Sequence, residues 1–218
     1  MKHAITAEEA VALIPDGASI LIGGFLGCGT PLRLIEALIA AGKKNLKIIA
    51  NDTGRTNTGI GRLIHEGRVS HVVASHIGTN ADTQEKMLNG TMIVDLTPQG
   101  TLVEQIRAGG YGLGGVLTKT GLGTLVEEQG EVVTLGGEQW LYAPPIKADF
   151  ALIYADVADQ VGNLTYRFTA HNFNPAMALA GAVVIAEVRE IVPVGSIAPD
   201  EVKTPGIVVD YLIARAES

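Results

Sequence analysis

The stretch Asp16-Gly-Ala-Ser-Ile-Leu-Ile-Gly-Gly-Phe-Leu-Gly-Cys-Gly-Thr-Pro31 decides the fold class of this 218-residue chain. It begins with a turn dipeptide, and the apolar run 19–22 that follows is typical of a strand buried on both faces. After a glycine-rich loop, Pro31 opens an apolar segment that extends to Gly42. Proline suits the first turn of a helix and glycine its end. The stretch therefore predicts a strand, a loop and a helix in succession, with Thr30 as the helix N-cap.

The same succession of strand and helix recurs along the rest of the chain. Thr6 and Glu9 form a capping box, which predicts a first helix over 7–14. The remaining patterns predict strands at 46–50, 69–75, 92–96, 150–154, 183–186 and 207–214, and helices at 59–66, 82–88, 98–108 and 174–179. Strands that alternate with helices across short loops predict an α/β fold. We expect a Rossmann-like, open and mostly parallel sheet with helices on both faces.

The region 109–145 interrupts this alternation. It begins with closely spaced glycines, and the β-rich runs 131–135 and 138–142 then flank the pair Gly136-Gly137. Two glycines between such runs predict a two-residue hairpin, so we expect a Gly-rich insert with an antiparallel hairpin. Residues 110–115 match G-x-G-x-x-G, but no strand precedes them, so we treat the match as fortuitous. No repeat or linker divides the chain, which favours a single domain over 1–218.

The composition excludes several classes of protein. With 47% hydrophobic and 18% charged residues, the chain does not have the balance of a disordered protein. Sixteen Lys and Arg against 23 Asp and Glu leave a net charge of −7, which argues against nucleic-acid binding. The sequence has no uninterrupted run of 18 apolar residues, so we expect no membrane span. Its first residues are too polar for a signal peptide. The single cysteine, Cys28, excludes an internal disulfide and indicates a reducing cytoplasm.

The glycine loop at 23–30 is the first candidate site. Free N–H groups and the dipole at the start of the following helix suit a phosphate or another anion. Glycine is also common in ordinary turns between strand and helix, so both interpretations stay open. The spacing matches neither the dinucleotide fingerprint, since Leu32 stands where its last glycine would fall, nor a P-loop, which requires Gly-Lys-Ser/Thr.

Polar residues follow three further predicted strands, at 51–53, 75–80 and 97–101. In a parallel sheet these loops meet at one edge and form a neutral crevice rich in amides, better suited to a carbonyl or thioester than to a metal ion. The five histidines show no zinc-ligand spacing, and His76 fits either a site or an ordinary loop. No nucleophile elbow and no evident acid–base pair is present. The sequence thus predicts a crevice that binds a ligand but contains no evident nucleophile.

Seven ordered motifs extend across nearly the whole chain. They are Gly-Gly-Phe at 23–25, Gly-Thr-Pro at 29–31, Ala-Asn-Asp-Thr at 50–53, Ala-Ser-His-Ile-Gly-Thr-Asn at 74–80, Pro-Gln-Gly-Thr-Leu-Val-Glu-Gln-Ile-Arg at 98–107, Gly-Asn-Leu-Thr-Tyr at 162–166 and Asn-Phe-Asn-Pro at 172–175. Together they resemble the motifs of the family I coenzyme A transferases, and in particular of their alpha subunits acting on short-chain acids.

The resemblance implies a division of labour between two chains. It implies coenzyme A (CoA) as a substrate, with no permanently bound cofactor and no metal. It also implies a beta subunit with a nucleophilic glutamate in a Ser-Glu-Asn-Gly motif, and an α2β2 assembly of the two chains. This chain lacks that motif. By the same resemblance, Asn51 and Gln99 line the acyl end of the substrate. The segment implied to bind CoA comprises Gly24, Phe25, Leu26, Gly27, Cys28, Gly29 and Thr30.

Other functions remain open from the residues alone. A non-catalytic ligand-binding or regulatory module, or a sugar-phosphate isomerase, would share the expected fold. An NAD-dependent dehydrogenase requires an acidic residue about 20 positions after the fingerprint; Asp52 lies near that place, but the fingerprint glycines are missing. The preferred acid stays undetermined, because one methylene group changes binding by only about 1–3 kcal/mol.

Overall fold

The computed structural model describes residues 1–2, 4–128 and 130–213. Within these residues no helix has both the length and the apolar character needed to cross a bilayer. In chain order the elements are α1 (Ala7–Ala12), β1 (Ser19–Ile22), α2 (Leu32–Ala40), β2 (Leu46–Ala50), α3 (Ile60–His65), β3 (Val69–Ala74), α4 (Ala81–Leu88), β4 (Ile93–Leu96), α5 (Gln99–Tyr111), β5 (Val116–Thr118), α6 (Leu125–Glu128), β6 (Glu131–Leu135), β7 (Glu138–Ala143), β8 (Ala148–Asp159), β9 (Leu164–Thr165), α7 (Asn174–Ala180), β10 (Gly181–Val192) and β11 (Tyr211–Ile213).

The main sheet has the strand order β11-β10-β8-β1-β2-β3-β4, and β9 pairs with β8. Every neighbouring pair along that order is parallel, whereas β9 is antiparallel to β8. At the centre, Ile20 of β1 pairs with Ile48 on one side and Phe150 on the other. The predicted α/β fold with a mostly parallel sheet is confirmed.

Helices cover both faces of this sheet, as predicted. Ile20 and Ile22 of β1 belong to one buried cluster, together with Leu34 of α2 and Leu63 of α3. Leu21, which points to the opposite face, belongs to a second cluster with residues of α5 and α7. Because the crossover helices bury both faces, the central strands are apolar without alternation. Because β1 to β4 are parallel neighbours, their carboxyl ends lie at the same edge of the sheet.

The structure extends or shortens several predicted elements. β8 and β10 run far beyond the predicted 150–154 and 183–186, because they pair with each other from Gly181↔Ala148 to Val192↔Asp159. The strand predicted at 207–214 is shorter: a 3-10 turn occupies Gly206–Val208, and β11 follows it. Residue 214, the end of that predicted strand, lies outside the described residues.

Helix α5 continues past its predicted end at 108, through Gly109 and Gly110, to Tyr111. A Cβ at Gly109 would lie 1.9 Å from the Ile146 carbonyl oxygen, and one at Gly110 would lie 2.6 Å from Leu179 Cβ. These glycines allow close packing of the helix against its neighbours. The antiparallel region therefore begins later than the predicted 109.

The predicted hairpin around Gly136 and Gly137 is confirmed. Both glycines have positive φ, +62° and +82°, which matches the tight two-residue turn between β6 and β7. A third strand, β5, pairs antiparallel with β7 and was not expected from the sequence. These three strands form a separate small sheet.

The start of α2 differs from the prediction. Pro31 is the N-cap, with no side-chain cap from the expected Thr30. Instead Glu187 of β10 accepts hydrogen bonds from the backbone N–H groups of Arg33 (2.9 Å) and Leu34 (3.1 Å). Its other carboxylate oxygen lies 3.3 Å from Arg33 Nε. These two N–H groups at the start of α2 are thus bonded to the protein's own carboxylate, and anion binding by the preceding glycine loop stays a prediction.

The buried Glu187 predicts a dependence of stability on pH. Burial raises the pKa of Glu187 above its ordinary value of 4.5, and the Leu34 N–H and Arg33 offset this only in part. A raised pKa in the folded state means that its favourable contribution is complete at low pH and is lost as the pH rises through that pKa. We therefore expect the wild-type melting temperature to fall relative to Glu187→Gln between about pH 4 and neutrality. If the melting temperatures of the two proteins changed in parallel with pH over this range, the raised pKa of Glu187 would be contradicted.

Candidate functional site

The first glycine loop, residues 23–30, leaves the carboxyl end of β1 as a tight turn. Phe25 and Cys28 exchange backbone hydrogen bonds of 3.0 and 2.9 Å across it. Gly24 has φ +126°, a conformation that L side chains rarely adopt, and a Cβ there would lie 2.0 Å from Thr30 Oγ1. Glycine at position 24 is therefore required both by the backbone and by the space around it.

Two asparagines of the 172–175 motif fasten this loop. Asn172 accepts from Gly24 N–H (3.1 Å) and donates to the Cys28 carbonyl (3.0 Å). Asn174 donates to the Gly29 carbonyl at 3.0 Å. Each asparagine carries both donors and an acceptor, so one short motif satisfies loop groups of both kinds. The resemblance drew attention to this motif, and its contact with the loop emerges only in the folded chain.

A second glycine loop, residues 54–59, follows β2 and repeats the design of the first. Arg55 and Thr58 form an antiparallel bridge, as Phe25 and Cys28 do. Gly54, Asn57 and Gly59 have positive φ, like Gly24, Gly27 and Gly29 at the corresponding places of the first loop. Sequence reasoning missed this loop because asparagine replaces the middle glycine. Asparagine tolerates the left-handed conformation, so that signal was available.

Asp52 lies between the two loops and is only 4% exposed. One of its carboxylate oxygens accepts from Gly54 N–H at 2.7 Å. The other accepts from Leu26 N–H at 3.0 Å and from Asn51 Nδ2 at 2.8 Å. Donors from both loops thus meet on a single buried carboxylate.

The structure brings Asn51 and Gln99 together. Gln99 is the first residue of α5, and its Nε2 donates to Asn51 Oδ1 at 2.7 Å. Ser75, directly after β3, donates its hydroxyl to the Asn51 backbone carbonyl at 2.7 Å. Asn51 is only 1% exposed, whereas Gln99 is exposed to solvent. Of these two predicted residues, Gln99 faces the solvent and Asn51 lies behind it.

The loop after β3 supports the second glycine loop. Thr79 Oγ1 donates to the Gly54 carbonyl at 2.7 Å, and Asn80 Nδ2 donates to the Thr53 carbonyl at 2.8 Å. The His76 carbonyl accepts from Thr53 N–H at 3.3 Å, while the His76 side chain is exposed. Together with the Gln99–Asn51 contact, these bonds show that the loops after β1 to β4 meet at one edge, as the parallel order predicts.

The first glycine loop presents apolar side chains at the site, and the exposed Arg55 of the second loop adds a positive charge beside them. Phe25 is 44% exposed beside the half-exposed Leu26, and Thr30 is buried. Cys28 is exposed, and its Sγ lies 3.1 Å from Thr169 Oγ1. Within the described ranges, no group of His, Cys, Asp and Glu has the arrangement of a metal site. The exposed amide of Gln99 can hold an uncharged polar group such as a carbonyl.

Comparison with known families decides between the open alternatives. Residues 4–215 match the model of the family described as coenzyme A transferase. The chain belongs to the coenzyme A transferase family. This membership argues against the dehydrogenase, the isomerase and the regulatory module. It also argues against a dinucleotide site at the G-x-G-x-x-G match of residues 110–115, which begins in the last turn of α5.

Curated relatives of this CoA-transferase chain match it over nearly its whole length. It is 52% identical to the acetate CoA-transferase subunit alpha of Escherichia coli K12, covering 98% of this chain and 97% of that protein. It is 47% identical to the acetoacetyl-CoA:acetate/butyrate CoA transferase alpha subunit of Clostridium acetobutylicum, covering 96% of each. The chain is therefore a CoA-transferase subunit of the alpha type.

A solved structure shows the same fold in a longer chain. The acyl-CoA transferase YdiF apoenzyme from Escherichia coli O157:H7 has a TM-score of 0.87 at 26% identity. The match covers 98% of this chain and 47% of that one, so this CoA-transferase subunit spans about half the length of that enzyme.

Proposed function

We propose that this chain is the alpha half of a heteromeric enzyme that moves CoA between a short-chain acyl-CoA and a short-chain carboxylate, namely acetate, butyrate or acetoacetate. The names of the alpha-subunit relatives in Escherichia coli and Clostridium acetobutylicum support these substrates. The observation that carries the proposal is the exposed Gln99 amide, anchored on Asn51 at the sheet edge that also holds the first glycine loop.

Each part of the edge has a role in this proposal. Residues 24–30 lie along CoA, because their glycines let a ligand approach the backbone closely. Gln99 donates an amide N–H to the thioester oxygen and stabilises the negative charge that develops there. Asn51, buried behind it, holds the Gln99 side chain in place.

The attacking carboxylate is proposed to come from a beta subunit. A glutamate in its Ser-Glu-Asn-Gly motif attacks the thioester carbonyl, releases CoA thiolate and forms an acyl-glutamyl anhydride. The thiolate then attacks the glutamyl carbonyl, which releases the first carboxylate and leaves a glutamyl-CoA thioester. The second carboxylate reverses these two steps and leaves as its CoA ester. Covalent catalysis of this kind divides one difficult transfer into easier steps, and this chain has no Ser-Glu-Asn-Gly motif.

Charge and cysteine content support two finer parts of the proposal. CoA is strongly anionic and this chain has a net charge of −7, so the beta subunit is proposed to supply most of the cations around the phosphates. The single cysteine of this chain is consistent with a reducing cytoplasm, and the α2β2 assembly is proposed from the family resemblance.

Co-expression with a beta subunit tests the proposed function. The assembled enzyme should exchange CoA between acetoacetyl-CoA and acetate, whereas this chain alone should give no turnover. Borohydride reduction of the glutamyl thioester should then mark a glutamate of the beta subunit. Turnover by the isolated chain, or a reduced adduct within these 218 residues, would contradict the proposal.

A further inference from the structure

The chemistry of Asp52 determines the orientation of its neighbour. An ionised carboxylate only accepts hydrogen bonds. Asn51 must therefore turn its Nδ2 toward Asp52, as the 2.8 Å contact shows, and its Oδ1 away from it. Because Asn51 is 1% exposed and Asp52 is 4% exposed, water has little access to offer either group another partner.

The orientation of the Asn51 amide in turn determines that of the Gln99 amide. Asn51 Oδ1 is an acceptor, so Gln99 must present Nε2 to it, as the 2.7 Å contact shows. The two ends of a terminal amide have nearly the same shape, and their hydrogen-bond partners decide which way the group turns. Once Nε2 is held by Asn51, its second N–H remains available to an oxygen of the substrate.

The same carboxylate also joins the two glycine loops. It receives Leu26 N–H of the first loop and Gly54 N–H of the second on different oxygens. Leu26 has φ +47°, an uncommon conformation for leucine, and its bond to Asp52 helps to hold it. An asparagine at position 52 would present an NH2 group to at least one of these donors.

We infer that Asp52 is a positioning residue: through Asn51 it sets which end of the Gln99 amide faces the acyl group. This inference rests on the proposed function. Asp52 does not touch the substrate. Its negative charge is satisfied by three N–H donors, so it can stand near a site of developing negative charge. Its effect on the reaction passes through Gln99.

The test is Asp52→Asn in the enzyme assembled with its beta subunit. We expect kcat to fall about tenfold with a much smaller change in KM, because the lost orientation matters most in the transition state. In a Gln99→Ala background the same substitution should have no further effect on kcat. A kcat loss of equal size in both backgrounds, or no loss in either, would overturn the inference.

A matched control and a second variant complete the test. Asp159 is 2% exposed and receives Val161 N–H, Asn163 N–H and Asn163 Nδ2 in the turn after β8, so Asp159→Asn should leave kcat unchanged. Should Asp52→Asn not fold, Asn51→Leu removes the connection and spares both loop contacts. It should lower kcat only when Gln99 is present, and a loss independent of Gln99 would again overturn the inference. An inactive wild-type assembly would instead contradict the proposed function.

Discussion

Replacing Gln99 with alanine in the assembled enzyme is expected to lower kcat by about 10- to 1000-fold, the range typical of losing one donor to a developing oxyanion. The side chain is exposed and the Asn51 contact anchors it, so its removal deletes a positioned donor. The thioester oxygen gains its full negative charge only in the transition state. The effect should therefore fall on kcat more than on KM.

Steady-state exchange of CoA between acetoacetyl-CoA and acetate measures this effect. Gln139→Ala is a suitable control, because Gln139 is an exposed glutamine on β7 of the separate small sheet. It should leave both kinetic constants unchanged. An unchanged kcat with a raised KM in Gln99→Ala would make Gln99 a residue of ground-state binding, contrary to the proposed role.

Gly23→Ala should lower the free energy of unfolding by about 3 kcal/mol, at the upper end of the usual cost of overpacking. The added Cβ would lie 1.7 Å from Asn174 Oδ1. Asn174 cannot move aside cheaply, because Oδ1 accepts from Tyr154 N–H and Nδ2 donates to the Gly29 carbonyl. Buried polar groups that lose such partners add to the cost.

Urea denaturation of wild type and variant measures this loss. Gly100→Ala provides the control, since a Cβ at Gly100 meets nothing within 4 Å and the residue lies in α5. Alanine is the better helix former, so this variant should be as stable as wild type or up to about 1 kcal/mol more stable. Equal unfolding free energies for Gly23→Ala and Gly100→Ala would show that the Asn174 contact does not constrain position 23.

Elements with strong local signals were predictable from the sequence. The bounds of β1 and β2 agree with the prediction, and the capping box of α1 is present with both reciprocal bonds between Thr6 and Glu9. The two-residue turn at Gly136-Gly137 was also predicted correctly. In each of these cases the determining residues lie within a few positions of one another, so their physical preferences are visible in a short window.

The site was predictable only in part. Polar loops after successive strands indicated the sheet edge, and the family resemblance pointed to Gln99 and Asn51. The contacts of Asp52 were not predicted, because its partners Leu26 and Gly54 lie on two different loops. The extension of α5 was missed too, since helix propensity disfavours Gly109 and packing against Ile146 overrides it.

The sequence by itself determined the alternation of strands and helices and the tight turns, because these depend on side-chain periodicity and on local backbone preference. It also pointed to the family, through the resemblance of its ordered motifs. Only the tertiary structure decided which distant residues each loop contacts. Glu187 reaches the start of α2 across 154 positions, and Asn172 reaches Gly24 across 148. Such contacts exist because β8 and β10 pair beside β1, and the strand order of a sheet is set by the packing of the whole chain.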